Sequence, residues 1–528
     1  MEYDADVIVI GSGALGNNAA YELAKQGKSV IILEAGKSIP RWKITENFRT
    51  SPRKNNYNDP YPNAATAPTS FAKDYIENTG SFAYLPGMLK LVGGTTWHWA
   101  ACAWRYLPSD MKLKSLYGVG RDWPISYDDL EPYYCRAEEA IGVSGRSDED
   151  QSGQGKKNFP PRSKDYPMPS DGINYMTNRM HDRLGKLGYR FVQEPSARPT
   201  NQPYDGRPAC SGNNNCMPVC PIGSMYSGDV HARHAVKAGA KLLTEATAFK
   251  LEKGSGNKIE AVHYRNANGE DKKLTARYFI VAAHGFETPK LLLMSDVANS
   301  SDQVGRNIMD HNGLAIQFLA DEPLWSGRGT VEEACIVNMR DGQHRRRYAA
   351  SKHNIGNSVP NMPVAQRLIA QGIFGKELDE RIRHDAARWV DISSMFETLP
   401  SPSNRVIPHP TKKDALGLPT LSIHYDVPAY TEAAKDIVLR DYRRIAAGMK
   451  GEIVNETSEW QNHDHIMGSV IMGKNPADSV VNGECRSFDH HNLFLATTGV
   501  IPAAGVVNPT LTGIALSIRI ADIIAREV

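Results

Sequence analysis

The sequence predicts an α/β protein whose central parallel sheet is assembled from both ends of the chain. Three observations predict it. The chain opens with ADVIVI (5–10), a short apolar, β-branched run of the kind that forms a buried parallel strand. That run leads at once into Gly11-Ser-Gly13-Ala-Leu-Gly16, then a helical stretch ending at Gly27 and a second strand, SVIILE, ending in Glu34. The final segment, from NLFLATTG onward, reads as strand, glycine-rich turn and a terminal helix from about Thr510. The middle of the chain is therefore expected as a second layer inserted into the first.

Each part of the opening unit has a chemical reason. Strand, G-x-G-x-x-G, helix, strand and acid form a Rossmann-like unit for a dinucleotide. Gly11, Gly13 and Gly16 allow the tight turn and the close approach of a pyrophosphate. The helix start offers free N–H groups and the positive end of its dipole. Glu34 can accept hydrogen bonds from a ribose diol. This pattern leaves open whether the dinucleotide is FAD or NAD. Further on, ARYFIVAAHG (276–285) reads as another buried strand, and ETPKLLLMS as a helix with Pro289 in its first turn. Residues 145–170, rich in Ser, Gly, Lys, Asp and Pro, read as a long exposed loop.

Composition narrows the function classes. A length of 528 residues suits two or three interleaved domains. Lys plus Arg is 61 against Asp plus Glu 59, so nothing in the charge points to nucleic acid. No apolar run approaches the length of a spanning helix. MEYDADVIVI has neither a positive start nor a cleavage site, so no export signal of its own is expected. Seven cysteines, an odd number in a large chain, do not form a disulfide framework.

Three of those cysteines fall within CSGNNNCMPVCP, at positions Cys210, Cys216 and Cys220. Thiolates converging from an irregular loop can hold an iron–sulfur cluster. They can also hold zinc, with His231 or His234 as a fourth ligand, and the spacing alone does not separate the two. GGTTWHWAACAWR (93–105) has two glycines for close approach to a flat ligand and three tryptophans. It reads as a wall beside a flavin or as a core hairpin with a satisfied His98. WQNHDHIMGS carries His463 and His465, and GVVNPTLT carries Asn508. A histidine is the usual group to take a hydroxyl proton near neutral pH.

Together G-x-G-x-x-G with Glu34, GGTTWHWA, VGRNIMDH (304–311), HDHIMGS, VVNPTLT and CSGNNNCMPVCPIG resemble the glucose–methanol–choline oxidoreductases. Within that family they are similar to the catalytic subunits of bacterial membrane-associated sugar dehydrogenases. The resemblance implies FAD and a discontinuous FAD-binding domain over 1–110, 200–315 and 455–528. It also implies an α+β substrate domain with an antiparallel sheet over 111–199 and 316–454. Gly93, Gly94, Thr95, His98 and Thr510 join the glycine turn as expected FAD-binding positions, with a covalent flavin link at His98 left open. A [3Fe–4S] cluster is implied in the loop 205–225, with Cys210, Cys216 and Cys220 as ligands. Relatives often have a further cysteine where this chain has Ser211. Cys102, Cys135, Cys335 and Cys485 are expected as buried thiols.

The resemblance makes His465 the general base and Asn508 its partner on the substrate hydroxyl, with His463 in support. Relatives commonly have Asn where this chain has Asp464. A carboxylate facing the pocket would repel gluconate and favour a neutral sugar, polyol or glycoside. The same residue could instead brace a backbone amide. Electrons would leave singly through the cluster to a multihaem c-type cytochrome subunit. A small partner carrying a twin-arginine signal would export the folded chain to the periplasmic face of the membrane, with membrane contact only through partners. The alternatives are an aldonate dehydrogenase, an oxygen-using oxidase, and a non-enzymatic flavin and iron–sulfur subunit.

Overall fold

The computed structural model describes residues 3–52, 58–72 and 74–528. Its first sheet has a parallel core. Strands Lys241–Leu243, Val30–Leu33, Ala5–Ile10, Asp271–Val281 and Leu493–Leu495 lie side by side in that order, all parallel. The long Asp271–Val281 strand has two roles. Its second half joins the parallel core, and its first half pairs antiparallel with Ile259–Asn266, which pairs with Ala246–Lys253. The carboxyl-terminal strand thus docks beside the amino-terminal ones, as the sequence predicts.

Helices cover this sheet. Ala14–Lys25 ends at Gln26, and Gly27 takes the left-handed conformation, φ +77°, that stops a helix. It packs against Thr510–Glu527 at close range: a Cβ on Gly513 would meet Leu15 Cδ2 at 2.7 Å. Tyr127–Ile141 packs on the same terminal helix, and its Leu130, Tyr134 and Ile141 are buried in the same core as Val7, Ile32, Phe279 and Leu493. That stretch of the 111–199 segment is therefore packed with the dinucleotide layer. Each fully buried aliphatic side chain there contributes about 1.5–3 kcal/mol.

The second sheet is antiparallel, six strands in the order Glu452–Gln461, Gly313–Leu319, Trp389–Phe396, Ser351–Gly356, Glu332–Ile336 and Phe191–Gln193. Its own core holds Ile316, Phe318, Ile392 and Phe396 against helix Lys435–Gly448. The site described below lies between the two sheets. Among the described residues no helix is long and apolar enough to cross a membrane.

Two local expectations need correction. The helix after Val281 starts at His284, so Pro289 sits in the second turn, not the first. The Gly93–Arg105 stretch is not a hairpin: Gly94–Trp97 is a single 3-10 turn, entered through Gly93 at φ +100°. Two turn bonds hold it, Thr96 Oγ1 donating to Gly93 O at 2.7 Å and Trp97 Nε1 to Val92 O at 2.8 Å.

Candidate active site

A cavity of about 590 Å³ lies at the carboxyl ends of the parallel strands. The residues just past four of them, Gly11–Leu15, Glu34–Ala35, Ala282–His284 and Ala496–Thr498, all line it. This is where open α/β sheets bind ligands. Gly11 stands at φ +107°, and a Cβ there would meet Ala282 O at 2.4 Å. A Cβ on Gly16 would meet Gly11 O at 2.1 Å, whereas one on Gly13 would meet nothing within 4 Å. Two glycines are therefore needed by the fold, and Gly13 opens onto space. The Ala14–Lys25 helix has no side-chain cap and no acid in its first turn, so its N–H groups and positive dipole end remain available to phosphates.

Glu34 is almost fully buried. Its Oε2 accepts from Ser12 N at 3.0 Å and Ser12 Oγ at 2.7 Å, and its Oε1 accepts from Gly36 N at 2.8 Å. The carboxylate braces the glycine turn while facing the cavity, and it keeps lone pairs for a ribose. Gly94, Thr95, Thr96, His98 and Trp99 also line the cavity, as do Asn508, Pro509 and Thr510. Of the three tryptophans, only Trp99 does so. Trp97 is buried with Ile44 and Leu91 under Arg41, and Trp104 lies in the main core.

The cavity's far end carries the histidines. His465 Nε2 lies 2.9 Å from Asn508 Nδ2, and His465 Nδ1 lies 3.0 Å from His311 Nδ1. His311 Nε2 faces Ala504 O at 3.4 Å. A carbonyl can only accept, so the network assigns a proton to His311 Nε2. His311 Nδ1 then accepts from His465 Nδ1–H, and the free lone pair of His465 sits on Nε2, toward Asn508. Burial comes first, and neighbouring His311 and His463 add to it, in holding the His465 imidazole well below the usual histidine pKa. It is a neutral base at pH 7.

One buried carboxylate fixes this geometry. Asp310 Oδ1 accepts from the backbone N–H groups of His311 (2.7 Å) and His465 (2.8 Å). Its Oδ2 accepts from His463 N (3.0 Å) and Tyr84 Oη (2.7 Å). His463 donates through Nδ1 to His311 O at 2.8 Å, which makes it a brace for the turn. Gly313 leaves room for that ring, since a Cβ there would lie 1.9 Å from His463 Cε1. Asp310 and His311 both fall within VGRNIMDH, but sequence reasoning assigned neither a role. Nothing local marks them, because their partners lie more than 150 residues away.

Asp464 lines the cavity with left-handed backbone, φ +60°. Its Oδ1 accepts from Gly87 N at 3.0 Å and from Asn462 Nδ2 at 2.6 Å. Both readings of this residue thus have a basis: it braces an amide, and it presents charge to the pocket. Although open to the cavity, its carboxyl is raised to about 7, by desolvation first and by the charge of Asp310 second. His98 Cε1 and Asp464 Oδ2 flank Gly87 together. His98 is buried and its pKa is pushed down to about 4 by desolvation. Its Nε2 and Asn508 Oδ1 are buried polar atoms without a hydrogen-bond partner among the described residues, as expected of a cavity shaped for a polar ligand.

The cysteine loop meets the same cavity. Met217, next to Cys216, lines it. Residues 198–228 contain no helix or strand, which leaves backbone donors free, and Gly212 N approaches Cys210 Sγ at 3.5 Å. Of the two histidines near this loop, His231 bonds Tyr226 Oη and His234 bonds Asp205. Among the described residues, the one group with three ligand atoms within 4.8 Å is Cys102, Glu194 and Glu332, which lies outside this loop. Cys216 and Cys220 are buried and Cys210 half-buried, and these three free thiols are the residues of the loop that could hold a cluster. Cys102, Cys135, Cys335 and Cys485 are buried free thiols.

Residues 196–313 and 400–517 match the GMC oxidoreductase family, and residues 6–40 match an FAD binding domain. The chain is 42% identical to the fructose dehydrogenase large subunit of Gluconobacter japonicus, over 99% of this chain and 98% of that one. The chain belongs to the GMC oxidoreductase family. As a GMC member it is an FAD-dependent oxidoreductase acting on CH–OH groups, and FAD is the dinucleotide left open by the glycine motif. A more distant GMC relative is the gluconate 2-dehydrogenase flavoprotein of Pantoea cypripedii, 22% identical over 96% of this chain and 91% of that one. Among solved structures, pyridoxine 4-oxidase from Mesorbium loti has a TM-score of 0.63 at 17% identity, covering 98% of this chain and 99% of its own. Formate oxidase has 0.66 at 14%, covering 99% and 98%. These two show the shared fold.

Proposed function

We propose that the protein is the catalytic subunit of a dehydrogenase that oxidises a hydroxyl of a neutral sugar, polyol or glycoside. Its electrons pass through a [3Fe–4S] cluster on Cys210, Cys216 and Cys220 to a c-type cytochrome partner. The observation that carries this reading is Met217: a residue of the cysteine loop lines the cavity that also holds His465 and Asn508. The 42% identity to a protein named as a dehydrogenase large subunit supports a sugar substrate and partner subunits.

The chain's own residues account for the proton side. His465 Nε2 takes the hydroxyl proton while Asn508 Nδ2 donates to the same oxygen. The two groups are 2.9 Å apart and bond each other, so a substrate hydroxyl that takes the place of this contact would meet both. His311 and Asp310 keep the ring and its turn in register. When bound, FAD would supply the two-electron acceptor: the hydride of the carbinol carbon would carry both electrons to it, and the hydroxyl proton would stay on His465, leaving a carbonyl. A cluster supplies one-electron exit. Gly11, Gly13, Gly16, Glu34, Gly93, Gly94, Thr95, His98 and Thr510 are the positions proposed to hold FAD. Export with a signal-bearing small subunit to the periplasmic membrane face completes the proposal.

The test is to purify the protein with its partners, measure iron and low-temperature EPR, and titrate with sugars anaerobically. Flavin bleaching by a neutral sugar with a three-iron signal is expected. Peroxide formation without added acceptor, or iron-free protein of full activity, would sink the proposal.

A further inference from the structure

We infer that Arg198 is a positioning residue for electron exit: its buried guanidinium ties the cysteine loop to the cavity wall and hydrogen-bonds the sulfur of Cys216. This rests on the reading of Cys210, Cys216 and Cys220 as cluster ligands.

Arg198 is 2% exposed and spends its donors in three directions. Nε donates to Ser196 Oγ at 2.6 Å, Nη2 to Ala100 O at 2.6 Å, and Nη1 to Cys216 Sγ at 3.0 Å. Ala100 lines the cavity, as does Met217 beyond Cys216. One planar group therefore links the flavin wall to the cysteine loop. Buried Arg105 and Arg345 meet carboxylates, at Glu138 and Glu397, while buried Arg207 and Arg340 donate to backbone carbonyls; Arg198 donates to a sulfur in place of a carboxylate. Among the described residues Arg198 forms no ion pair with a carboxylate, and its side-chain donors go to Ser196, Ala100 and Cys216. A guanidinium stays protonated under all ordinary conditions. Buried without a counter-ion it is costly. With a cluster bound, the sulfur of Cys216 would accept from it in a charge-assisted hydrogen bond.

The consequence is redox tuning. Potentials of iron–sulfur centres follow net charge and the hydrogen bonds to their sulfurs. Each electron that reaches the cluster from reduced flavin lowers its total charge by one. It leaves again to a one-electron acceptor, the haem partner or ferricyanide. A fixed cation 3.0 Å from a ligand sulfur favours the reduced state.

The experiment is an EPR-monitored redox titration of the holoenzyme and of Arg198→Gln and Arg198→Lys, with iron content measured in each. Arg198→Gln is expected to shift the cluster equilibrium at least tenfold toward oxidised, a midpoint about 59 mV lower, and Arg198→Lys by less. FAD content and the rate of sugar-driven flavin bleaching are measured in each variant, to separate a shift at the cluster from damage to the cavity wall that Arg198 also holds. Iron lost from the Gln variant but kept by Lys also supports the charge argument. An unshifted midpoint at full iron content, or iron lost equally from both variants, overturns it. Wild-type protein without iron overturns the underlying reading of the cysteines.

Discussion

His311 Nδ1 and His465 Nδ1 lie 3.0 Å apart, with His311 fully buried and His465 half-buried at the cavity. Two imidazoles can share that contact only if one nitrogen carries a hydrogen and the other a lone pair. The contact to Ala504 O decides which, and so the basic lone pair points at Asn508 rather than into the protein.

Replacing His465 by Asn should slow sugar-driven flavin reduction by about 10²- to 10⁴-fold, the usual worth of a positioned general base. FAD content should stay at the wild-type level. Stopped-flow bleaching with a flavin absorbance ratio checks both. A loss under tenfold would remove His465 from the proposed role.

The pH profile follows from the depressed histidine. A base whose pKa is lowered is already deprotonated at neutral pH and loses its lone pair only as pH falls through the lowered value. The acid limb of flavin reduction should therefore lie below the ordinary histidine value of about 6.5. Rates from pH 4.5 to 7.5 test it, and a midpoint at or above 6.5 would contradict it.

The same burial governs stability. His98, His284 and His311 are each pushed down to about 4, chiefly by desolvation. Below about 6.5 the unfolded chain binds protons that the folded chain refuses, so stability falls as pH drops toward 4. Each such group contributes on the order of 1 kcal/mol per pH unit. Melting temperatures at saturating FAD should decline across that window; a flat profile would show that these rings charge freely in the folded state.

Asp464→Asn keeps an oxygen for Gly87 N and removes the charge. The variant should gain activity on gluconate with little change on a neutral sugar. With the carboxyl raised to about 7, wild-type discrimination against gluconate should strengthen from pH 6 to pH 8 as Asp464 ionises. Discrimination that is independent of pH would place the charge outside the substrate's reach.

Glycine substitutions should separate fold from binding. Gly16→Ala puts a Cβ 2.1 Å from Gly11 O, so folding yield should drop. Gly13→Ala meets nothing within 4 Å and keeps an ordinary φ of −73°; it should fold normally yet bind FAD at least tenfold more weakly. Circular dichroism and FAD titration distinguish the two. Equal FAD affinity in Gly13→Ala would mean that no phosphate approaches there.

Legibility in the sequence follows contact range. The glycine turn, the helix ending at Gly27 and Glu34 lie within 35 residues, and each is marked by a residue type that backbone geometry demands. The Pro289 register was misread because nothing near His284 announces a helix start: no side chain caps it. The three tryptophans of Gly93–Arg105 read as one wall, yet a single 3-10 turn sends them to three different places.

By itself the sequence determined the dinucleotide turn and the cysteine loop, because residue type and short spacing are enough for those, whereas the roles expected of His465 and Asn508 rest on the family resemblance. Only the tertiary structure decided that Asp310 gathers the His463–His465 turn, that His311 sets the tautomer, and that Arg198 joins Cys216 to the cavity wall. The physical reason is that hydrogen bonds between groups distant in the chain leave no periodicity behind; they exist only once the two sheets have closed around the cavity.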